Sequence, residues 1–250
     1  MLRYSLRYML PCAALVLACC GPALGQWGNL KGKFIYDGKA PAAAALDASK
    51  DPVCANLKLF KEDLVVSPDG GLANVVVYCR TKGVKVNPSL MADANGKVVL
   101  DNNGCHFVPH ILPLLVTQTL EIKNSDQTSH NTNSAPIGDQ SFNPVIAIGG
   151  VADQKLKKVQ VIPQPVACNI HPWMKAFILP RDNPYFVVSS PDGSFEIKDL
   201  PVGDLEFQAW QEKVGFLNAP GWEKGRFKMK IKAGDNDLGT IKLSPTLFNK

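Results

Sequence analysis

The stretch Cys168-Asn-Ile-His171-Pro-Trp-Met174 is the part of this chain that says most about its fold and its function. It places a thiol, an imidazole and a thioether within seven residues. These soft or borderline ligands favour copper over magnesium or calcium, and a thioether is a poor ligand for zinc. Because the loop contains a single cysteine, it predicts a mononuclear copper site with Cys168, His171 and Met174 as ligands.

A second histidine is needed to complete such a site. A blue copper centre uses one cysteine and two histidines in a plane, with a weak axial methionine. The chain has four histidines, so His106, His110 and His130 remain as candidates. His130 is favoured, because it lies in a polar stretch directly after an apolar strand that ends at Ile122.

The segment Asn124-Ser-Asp-Gln-Thr-Ser-His130-Asn131 resembles the Asn-x-Asp-x-x-x-His-Asn stretch of cupredoxins such as plastocyanin, pseudoazurin and amicyanin. The loop Cys168–Met174 is similar to the short ligand loop of amicyanin. This resemblance covers roughly residues 98–179. It implies a Greek-key β-sandwich in which His130 joins the three loop ligands around one type 1 copper. It also implies that Asn131 forms a hydrogen bond across to the ligand loop.

Each of these residues taken singly has an ordinary explanation, as a buried thiol, a packed turn, a core methionine or a solvated histidine. Their conjunction in this order favours the metal site. A dinuclear copper centre would need a second cysteine in the loop, and an oxygen-reducing cluster would need more than four histidines. An enzyme that used Cys168 as its nucleophile would have no role for Met174. We therefore expect a protein that is not an enzyme.

His110 is the histidine whose role the motifs leave open. From Trp27 to its end the chain resembles bacterial proteins often labelled methylamine utilisation proteins, which combine a Cys-x-Phe-x-Pro-His stretch with the cupredoxin loop. Here that stretch is Cys105–His110. The resemblance implies that His110 matters. A hydrogen-bonded core histidine is favoured over a metal ligand, with a supporting position next to the site left open. The same proteins often have histidine where this chain has Gln211.

The rest of the chain consists of short strands and turns, which predicts an all-β fold. Leu114–Ile122 and Leu156–Ile162 are predicted as strands of the copper domain. Near the C-terminus, Asp192-Gly-Ser-Phe195 and Leu200-Pro-Val-Gly203 resemble the carboxypeptidase regulatory, transthyretin-like β-sandwich. We expect a nested arrangement, in which residues 27–90 and 183–250 form this second sandwich and residues 95–182 form the inserted copper domain.

Residues 1–25 are predicted to be a secretory signal peptide. Arg3 and Arg7 precede the apolar stretch Met9–Cys20, which is short for a membrane span and is followed by small residues suited to cleavage. A lipid anchor at Cys19 is a second interpretation. The first interpretation predicts a periplasmic or extracellular protein whose mature chain has no membrane span.

The cysteines and the charge fit this environment. Outside residues 1–25, the cysteines other than Cys168 are Cys54, Cys79 and Cys105, of which two can pair in an oxidising compartment. We expect a Cys54–Cys105 disulfide and a buried free Cys79, although the sequence leaves other pairings open. The net charge of +5 is scattered, so no nucleic-acid surface is predicted.

Three functions are compatible with this sequence. The first is transfer of single electrons between redox partners, with His171 reaching the surface as the exit and with Trp173 and Phe142 forming an apolar docking patch. The second is copper storage or delivery, which requires exposed ligands and reversible release. The third is a structural two-sandwich binding module without a redox role. The identity of any redox partner is not encoded in a recognisable motif.

Overall fold

The computed structural model describes residues 26–249 of the chain. Within this range the protein is all-β, as predicted, and contains no α-helix. Three short 3-10 helices occur, at Cys54–Asn56, Pro88–Met91 and Pro245–Phe248. No helix in the described part of the chain has the length and apolarity needed to cross a membrane. The predicted signal peptide, residues 1–25, lies outside the described residues.

The strands are numbered in chain order. They are β1 Trp27–Tyr36, β2 Val75–Cys79, β3 Lys97–Asn102, β4 Phe107–Val108, β5 Ile111–Leu115, β6 Thr119–Asn124, β7 His130–Asn131, β8 Val145–Ile146, β9 Val151–Lys155, β10 Gln164–Ala167, β11 Lys175–Arg181, β12 Phe186–Val188, β13 Ser194–Pro201, β14 Gly203–Gln211, β15 Gly215–Phe216, β16 Arg226–Ile231 and β17 Gly234–Leu243.

Two sheets combine the first strands of the chain with the last. In one, β1 lies between β13 and β17, antiparallel to the former and parallel to the latter. In the other, β2 lies between β12 and β14, and β14 also pairs with β15 and β16. Leu30 and Phe34 of β1 and Val77 and Phe207 of the second sheet are fully buried in one core between these sheets.

Three further sheets are built only from residues 97–181. Their strand orders are β4-β3-β6-β9, β10-β11-β5 and β7-β8. Leu100, Leu120, Ile122 and Ile178 are buried among them in a second core, which also contains Cys168. Burying each such aliphatic side chain contributes about 1.5 to 3 kcal/mol. The sequence stretch that carries the candidate ligands is thus held by a packed core of its own.

A third apolar cluster joins the two groups of sheets. It contains Val76 and Tyr78 of β2, Ile111 of β5, Leu179 of β11 and Trp210 of β14. Alternate residues of a strand point to opposite faces. Val76 and Tyr78 therefore face this cluster, while the neighbouring Val75 and Val77 face the first core. Strand β2 is buried on both sides, which explains why it has an unbroken apolar sequence.

Two predicted strands differ from the structure. The stretch Leu114–Ile122 is divided by a turn at residues 116–118, where the Gln118 N–H bonds the Leu115 carbonyl oxygen and the Gln118 side chain accepts from the Leu115 N–H. The prediction of one continuous strand is wrong, because the chain leaves one sheet after β5 and enters another at β6. Its apolar sequence serves both sheets.

The predicted strand Leu156–Ile162 is also wrong. The ladder ends at Lys155, and Val159 and Val161 are exposed. The backbone N–H groups of Lys157 and Lys158 donate to the Asp139 carboxylate rather than to a neighbouring strand. This stretch therefore forms no strand ladder, and two of its backbone N–H groups are bonded by a side chain instead.

The predicted disulfide between Cys54 and Cys105 is present. It joins the segment before β2 to the turn before β4 across 51 positions of sequence. In residues 26–249 the free thiols are Cys79 and Cys168, both buried. Burial raises the pKa of the Cys79 thiol, which keeps it protonated and unreactive.

The glycine of the Asp192-Gly193 turn is required by its backbone. Gly193 has a φ of +85°, and a Cβ built there would lie 2.1 Å from the Phe34 carbonyl oxygen. We expect Gly193→Ala to lower the free energy of unfolding by about 2 to 3 kcal/mol, measured by urea denaturation. Gly138→Ala is the matched control, because Gly138 has a φ of +70° but no neighbour within 4 Å, and should lose only about 1 kcal/mol. Equal losses would contradict the steric explanation.

Candidate metal centre

Three donor atoms converge in a buried pocket at one end of the second core. The Nδ1 atoms of His130 and His171 are 2.9 Å apart, and Cys168 Sγ is 4.0 Å from the first and 3.7 Å from the second. All three residues are at most 2% exposed. His130 is far in sequence from the loop that holds Cys168 and His171, and the structure brings the three together.

The dimensions of this triangle fit a bound metal ion. A point equidistant from three corners with sides of 2.9, 3.7 and 4.0 Å lies about 2.1 Å from each. Metal–nitrogen bonds to histidine are about 2.0 to 2.1 Å long and metal–sulfur bonds to cysteine about 2.3 Å. The lone pairs of two nitrogens 2.9 Å apart repel each other unless a cation or a proton lies between them. His130, Cys168 and His171 are therefore a group that could hold a metal ion.

The ligand loop is the connection of a hairpin. Cys168 follows β10 and Met174 precedes β11, and these two strands pair antiparallel. The Cys168 N–H donates to the Met174 carbonyl oxygen, and the Met174 N–H donates to the His171 carbonyl oxygen. The loop thus forms a tight turn around Pro172. Met174 is buried in the same cluster as Cys168.

His130 reaches the site from the neighbouring sheet. It begins β7, which pairs with β8, and its ring is fully buried. The next residue, Asn131, directs its Oδ1 atom toward the ligand loop. This oxygen accepts the backbone N–H groups of Asn169 and Ile170 at 2.8 and 3.1 Å and lies 3.4 Å from Cys168 Sγ. Asn131 therefore ties the His130 strand to the loop.

The sulfur of Cys168 accepts a hydrogen bond from the chain itself. The His171 N–H donates to it at 3.3 Å. Donors directed at a thiolate stabilise its negative charge and tune a metal bound to it. The compact loop supplies this donor because only two residues separate Cys168 from His171.

Two aspartates contact the outer nitrogens of the histidines. Asp126 lies 2.9 Å from His130 Nε2, and Asp51 lies 3.0 Å from His171 Nε2. Sequence reasoning missed both. Asp126 had a local signal, since it stands four residues before His130 within the same motif. Asp51 had none, because it precedes His171 by 120 residues and follows an alanine-rich stretch.

The charges of these groups follow from their contacts. Burial alone would raise the pKa of Asp51, but hydrogen bonds from the Cys54 N–H and from His171 and Thr128 lower it to about 2. Burial and the neighbouring His171 lower the pKa of His130. The aspartate is thus ionised and His130 is neutral at pH 7, and the neutral imidazole is the form that binds metals.

The expectation that His171 reaches the surface is wrong. It is 2% exposed, because the segment that contains Asp51 covers its outer edge. Phe142, expected in an exposed docking patch, is buried in the core. Trp173 is half-buried and packs against the His171 ring, with 5.1 Å between ring centroids. The exposed residues of the ligand loop are instead Asn169, Ile170 and Pro172.

His110 belongs to a different cluster. Its Nε2 atom is 2.7 Å from the Glu212 carboxylate, and its Nδ1 atom is 3.4 Å from Glu62. His106 contacts the same Glu62 at 3.1 Å. His110 and both glutamates line part of a cavity of about 290 Å³, whose other wall includes Trp173. The structure therefore does not bring His110 to the three donor atoms, and joins it to the ligand loop only across this cavity.

The ionisation of His110 should appear in the pH dependence of folding. Burial opposes its charge, but the hydrogen bond to Glu212 and the nearby carboxylate of Glu62 raise its pKa to about 9. Because this is above the ordinary value of 6.5, the contribution to stability is complete below pH 6.5 and is lost as the pH rises through 9. We expect metal-free protein to lose on the order of 2 kcal/mol in this window, measured by urea unfolding.

His110→Gln should remove most of this pH-dependent loss, although it also lowers stability at pH 6.5. His106→Gln is the matched control, because it removes a partner of the same Glu62 from a more exposed position. It should keep the slope of the wild-type curve. If the His110→Gln curve ran parallel to that of the wild type from pH 6.5 to 9, the buried ion cluster would not be the cause.

Comparison with known proteins gives partial likenesses. No protein-family model matches the chain, and a search of curated proteins finds no match. Among solved structures, a copper-containing nitrite reductase (NirK) from Thermus scotoductus SA-01 is 24% identical at a TM-score of 0.31, over 34% of this chain and 22% of that one. The match thus spans about a fifth of the reductase.

Two smaller proteins match over nearly their whole length. A mutant of amicyanin, in its Cu(I) form, is 14% identical at a TM-score of 0.31, over 42% of this chain and 98% of that one. A purple cupredoxin from Nitrosopumilus maritimus is 19% identical at a TM-score of 0.29, over 34% and 98%. At these TM-scores we base no inference on the likenesses.

Proposed function

We propose that this protein binds one type 1 copper through His130, Cys168, His171 and Met174, and transfers single electrons between redox partners. The observation that carries this proposal is the convergence of two histidine Nδ1 atoms and one cysteine Sγ in a triangle of metal-binding size. A thiolate and two imidazoles in a plane are the ligand set of blue copper proteins. Met174, which is buried in the same cluster as Cys168, would add a thioether, and this supports copper over zinc.

The surroundings of the donors support electron transfer rather than release of the metal. When bound, copper would supply one-electron chemistry between its +2 and +1 states. The chain would keep the same ligand positions in both states, because Asn131 clamps the loop and Asp51 and Asp126 hold the imidazole rings. Ligands fixed by packing and hydrogen bonds require little rearrangement when the charge changes. A storage or delivery site would instead need accessible, mobile ligands.

Contact with a redox partner is expected over the exposed part of the ligand loop. Ile170 is half exposed and Pro172 is exposed, and both are neighbours of His171 in the chain. An exposed surface next in sequence to a buried ligand would keep the path for an electron short and suits brief contacts between proteins. The partner would be a second redox protein, and the chain itself would have no catalytic role.

The decisive experiment is copper reconstitution of the metal-free mature protein. One equivalent of Cu(II) should produce an intense thiolate-to-copper absorption band in the visible range and a narrow copper hyperfine splitting in electron paramagnetic resonance. A reversible one-electron midpoint potential would support electron transfer. Ready loss of copper to a chelator, with no reversible potential, would favour storage or delivery. A colourless protein would refute the type 1 site and leave the structural binding module.

We also propose that the protein is exported to the periplasm or the outside of the cell. The disulfide Cys54–Cys105 supports this, because such bonds persist in oxidising compartments. The predicted signal peptide, residues 1–25, agrees with the same location, with a lipid anchor at Cys19 as the alternative. Determining the N-terminal residue and the mass of the protein from its native host distinguishes a cleaved chain from a lipidated one.

The nested domain division is likewise a proposal. Residues 27–90 and 183–250 would form one transthyretin-like sandwich, with residues 95–182 inserted as the copper domain. The pairing of β1 with β13 and β17, and of β2 with β12 and β14, supports it, because these ladders join the two ends of the chain. The sandwich would then act as the scaffold of the copper domain.

A further inference from the structure

The two aspartates that contact His171 and His130 are each hydrogen-bonded to one cysteine of the Cys54–Cys105 disulfide. Cys54 lies three residues after Asp51, and its N–H donates to Asp51 Oδ1 at 3.0 Å. The Val53 N–H donates to the same oxygen at 2.8 Å. The other carboxylate oxygen, Oδ2, lies 3.0 Å from His171 Nε2 and accepts the Thr128 hydroxyl at 3.0 Å. One half of the disulfide therefore fixes the carboxylate that contacts His171.

The other half of the disulfide does the same for His130. The Cys105 N–H donates to Asp126 Oδ2 at 2.9 Å, and the Gly104 N–H donates to Asp126 Oδ1 at 2.6 Å. The Oδ2 atom is also 2.9 Å from His130 Nε2. Cys105 is fully buried and Asp126 nearly so. The two half-cystines thus each present one aspartate to one histidine, and their S–S bond joins the two assemblies.

This arrangement determines which nitrogen of each ring faces the metal pocket. A carboxylate beside Nε2 accepts a hydrogen bond from the N–H of that nitrogen and so favours the form in which Nδ1 carries the lone pair. The Nδ1 atoms are the ones that face each other and Cys168. Asp51, Cys54 and His171 also place one donor atom each within 4.8 Å of one another, but Cys54 cannot act as a thiolate ligand there because it is in the disulfide.

The two aspartates also bring negative charge. Among the described residues, the basic side chains within ion-pair distance of Asp51 and Asp126 are the two histidines and no lysine or arginine. Each charge therefore acts on the metal pocket without a neutralising partner of its own. Negative charge beside a metal stabilises its more highly charged state. For copper, this favours Cu(II) over Cu(I).

We propose that Asp51 and Asp126 are positioning residues that hold both ligand imidazoles with Nδ1 toward the metal and lower its reduction potential, and that the Cys54–Cys105 disulfide holds them as one brace. This inference rests on the proposed copper function. It adds two residues and a disulfide that control the site without touching the metal.

Asp51→Asn is the first test, because asparagine keeps the shape and removes the charge at a partly exposed position. The midpoint potential of the copper-loaded protein should rise by at least about 59 mV. For one electron, this shift corresponds to a tenfold weaker preference for Cu(II) over Cu(I). Asp153→Asn is the matched control, because it removes one charge at an exposed site paired with Lys97. It should change the potential several-fold less. Asp126→Asn should act in the same direction as Asp51→Asn.

A second measurement does not involve copper. In metal-free protein, long-range ¹H–¹⁵N spectra report which ring nitrogen of His171 carries hydrogen. In the wild type, His171 should carry hydrogen on Nε2, with one further proton shared between the facing Nδ1 atoms of His171 and His130. Asp51→Ala should lower the fraction of His171 with hydrogen on Nε2. Asp153→Ala should leave the spectrum unchanged. This readout separates positioning of the ring from a general loss of structure, which near-ultraviolet circular dichroism checks in each variant.

These experiments distinguish failure of the positioning role of the aspartates from failure of the proposed copper function. If the wild type is not blue but Asp51→Ala alters the His171 tautomer, the copper function fails and the positioning role stands. If the wild type is blue and Asp51→Asn changes the potential no more than Asp153→Asn, the electrostatic role is overturned. An unchanged His171 tautomer in Asp51→Ala would overturn the positioning role.

The disulfide has its own test. The Cys54→Ser/Cys105→Ser variant should change the potential in the same direction as Asp51→Asn, because both aspartates lose the anchor that holds them beside the histidines. An unchanged potential would remove the disulfide from the brace and leave the two aspartates as independent positioning residues.

Discussion

Cys168→Ser is expected to abolish the visible absorption of the copper-loaded protein and to weaken copper binding by at least about 100-fold. The Cys168 sulfur is the only soft anionic donor in the triangle of donor atoms. A serine hydroxyl is shorter, is a poor ligand for copper and stays protonated at neutral pH, so it supplies neither the charge nor the orbital overlap of a thiolate. Loss of a supporting residue around a metal ligand already costs about 10- to 100-fold, so loss of the ligand should cost more. Competition with a chelator of known affinity, together with the visible spectrum, measures both effects.

Cys79→Ser is the matched control for this experiment. Cys79 is also a buried free thiol, but it lies on β2 in the first core. The substitution should cost some stability and leave the absorption band and the copper affinity unchanged. A band that survives in Cys168→Ser, or that disappears in Cys79→Ser, would show that the thiolate ligand has been assigned to the wrong residue.

The Cys54→Ala/Cys105→Ala variant is expected to lose about 4 kcal/mol of unfolding free energy in the metal-free protein. The disulfide closes a loop of 51 positions and so restricts the unfolded chain strongly. In the folded chain it also ties the segment that covers His171, whose other apolar anchors include Ala48 and Leu59, to the turn before β4. Urea unfolding of oxidised wild type and variant, followed by circular dichroism, measures the difference.

Limited proteolysis shows where the loss occurs. Cleavage should appear first near residues 46–57 in the variant, while the core strands stay protected. Treating the wild type with a reductant under native conditions should reproduce the same cleavage, whereas Cys79→Ala should not. A loss below about 1 kcal/mol, or a variant as resistant as the wild type, would mean that the segment is held by packing rather than by the disulfide.

The candidate ligands could be proposed from the sequence because most of them are close together along the chain. Cys168, His171 and Met174 stand in one loop, and a loop of seven residues cannot place its side chains far apart. His130 was chosen from three candidates through its position after a strand and through a motif. The structure brings its Nδ1 atom to 4.0 Å from Cys168 Sγ. That distance depends on the pairing of β7 with β8 and on the clamp formed by Asn131.

The errors of the sequence interpretation have a common cause. Periodicity predicted strands over Leu114–Ile122 and Leu156–Ile162, but it contains no information on which neighbour a strand will have. The first stretch divides between two sheets, and in the second the N–H groups of Lys157 and Lys158 bond the Asp139 side chain. The exposure of His171 was misjudged for the same reason, since the segment that covers it lies more than a hundred residues earlier.

The sequence by itself determined the all-β character and the chemical identity of the donors, because composition, turn residues and short-range spacing are local properties. It favoured the pairing of Cys54 with Cys105 without excluding others. Only the tertiary structure decided that Asp51 and Asp126 flank the two histidines, that Nδ1 of each ring faces Cys168, and that His110 lies instead between two glutamates. The orientation of a ring follows from the partners of its outer nitrogen. Those partners are supplied by chain segments whose proximity depends on folding and not on spacing along the sequence.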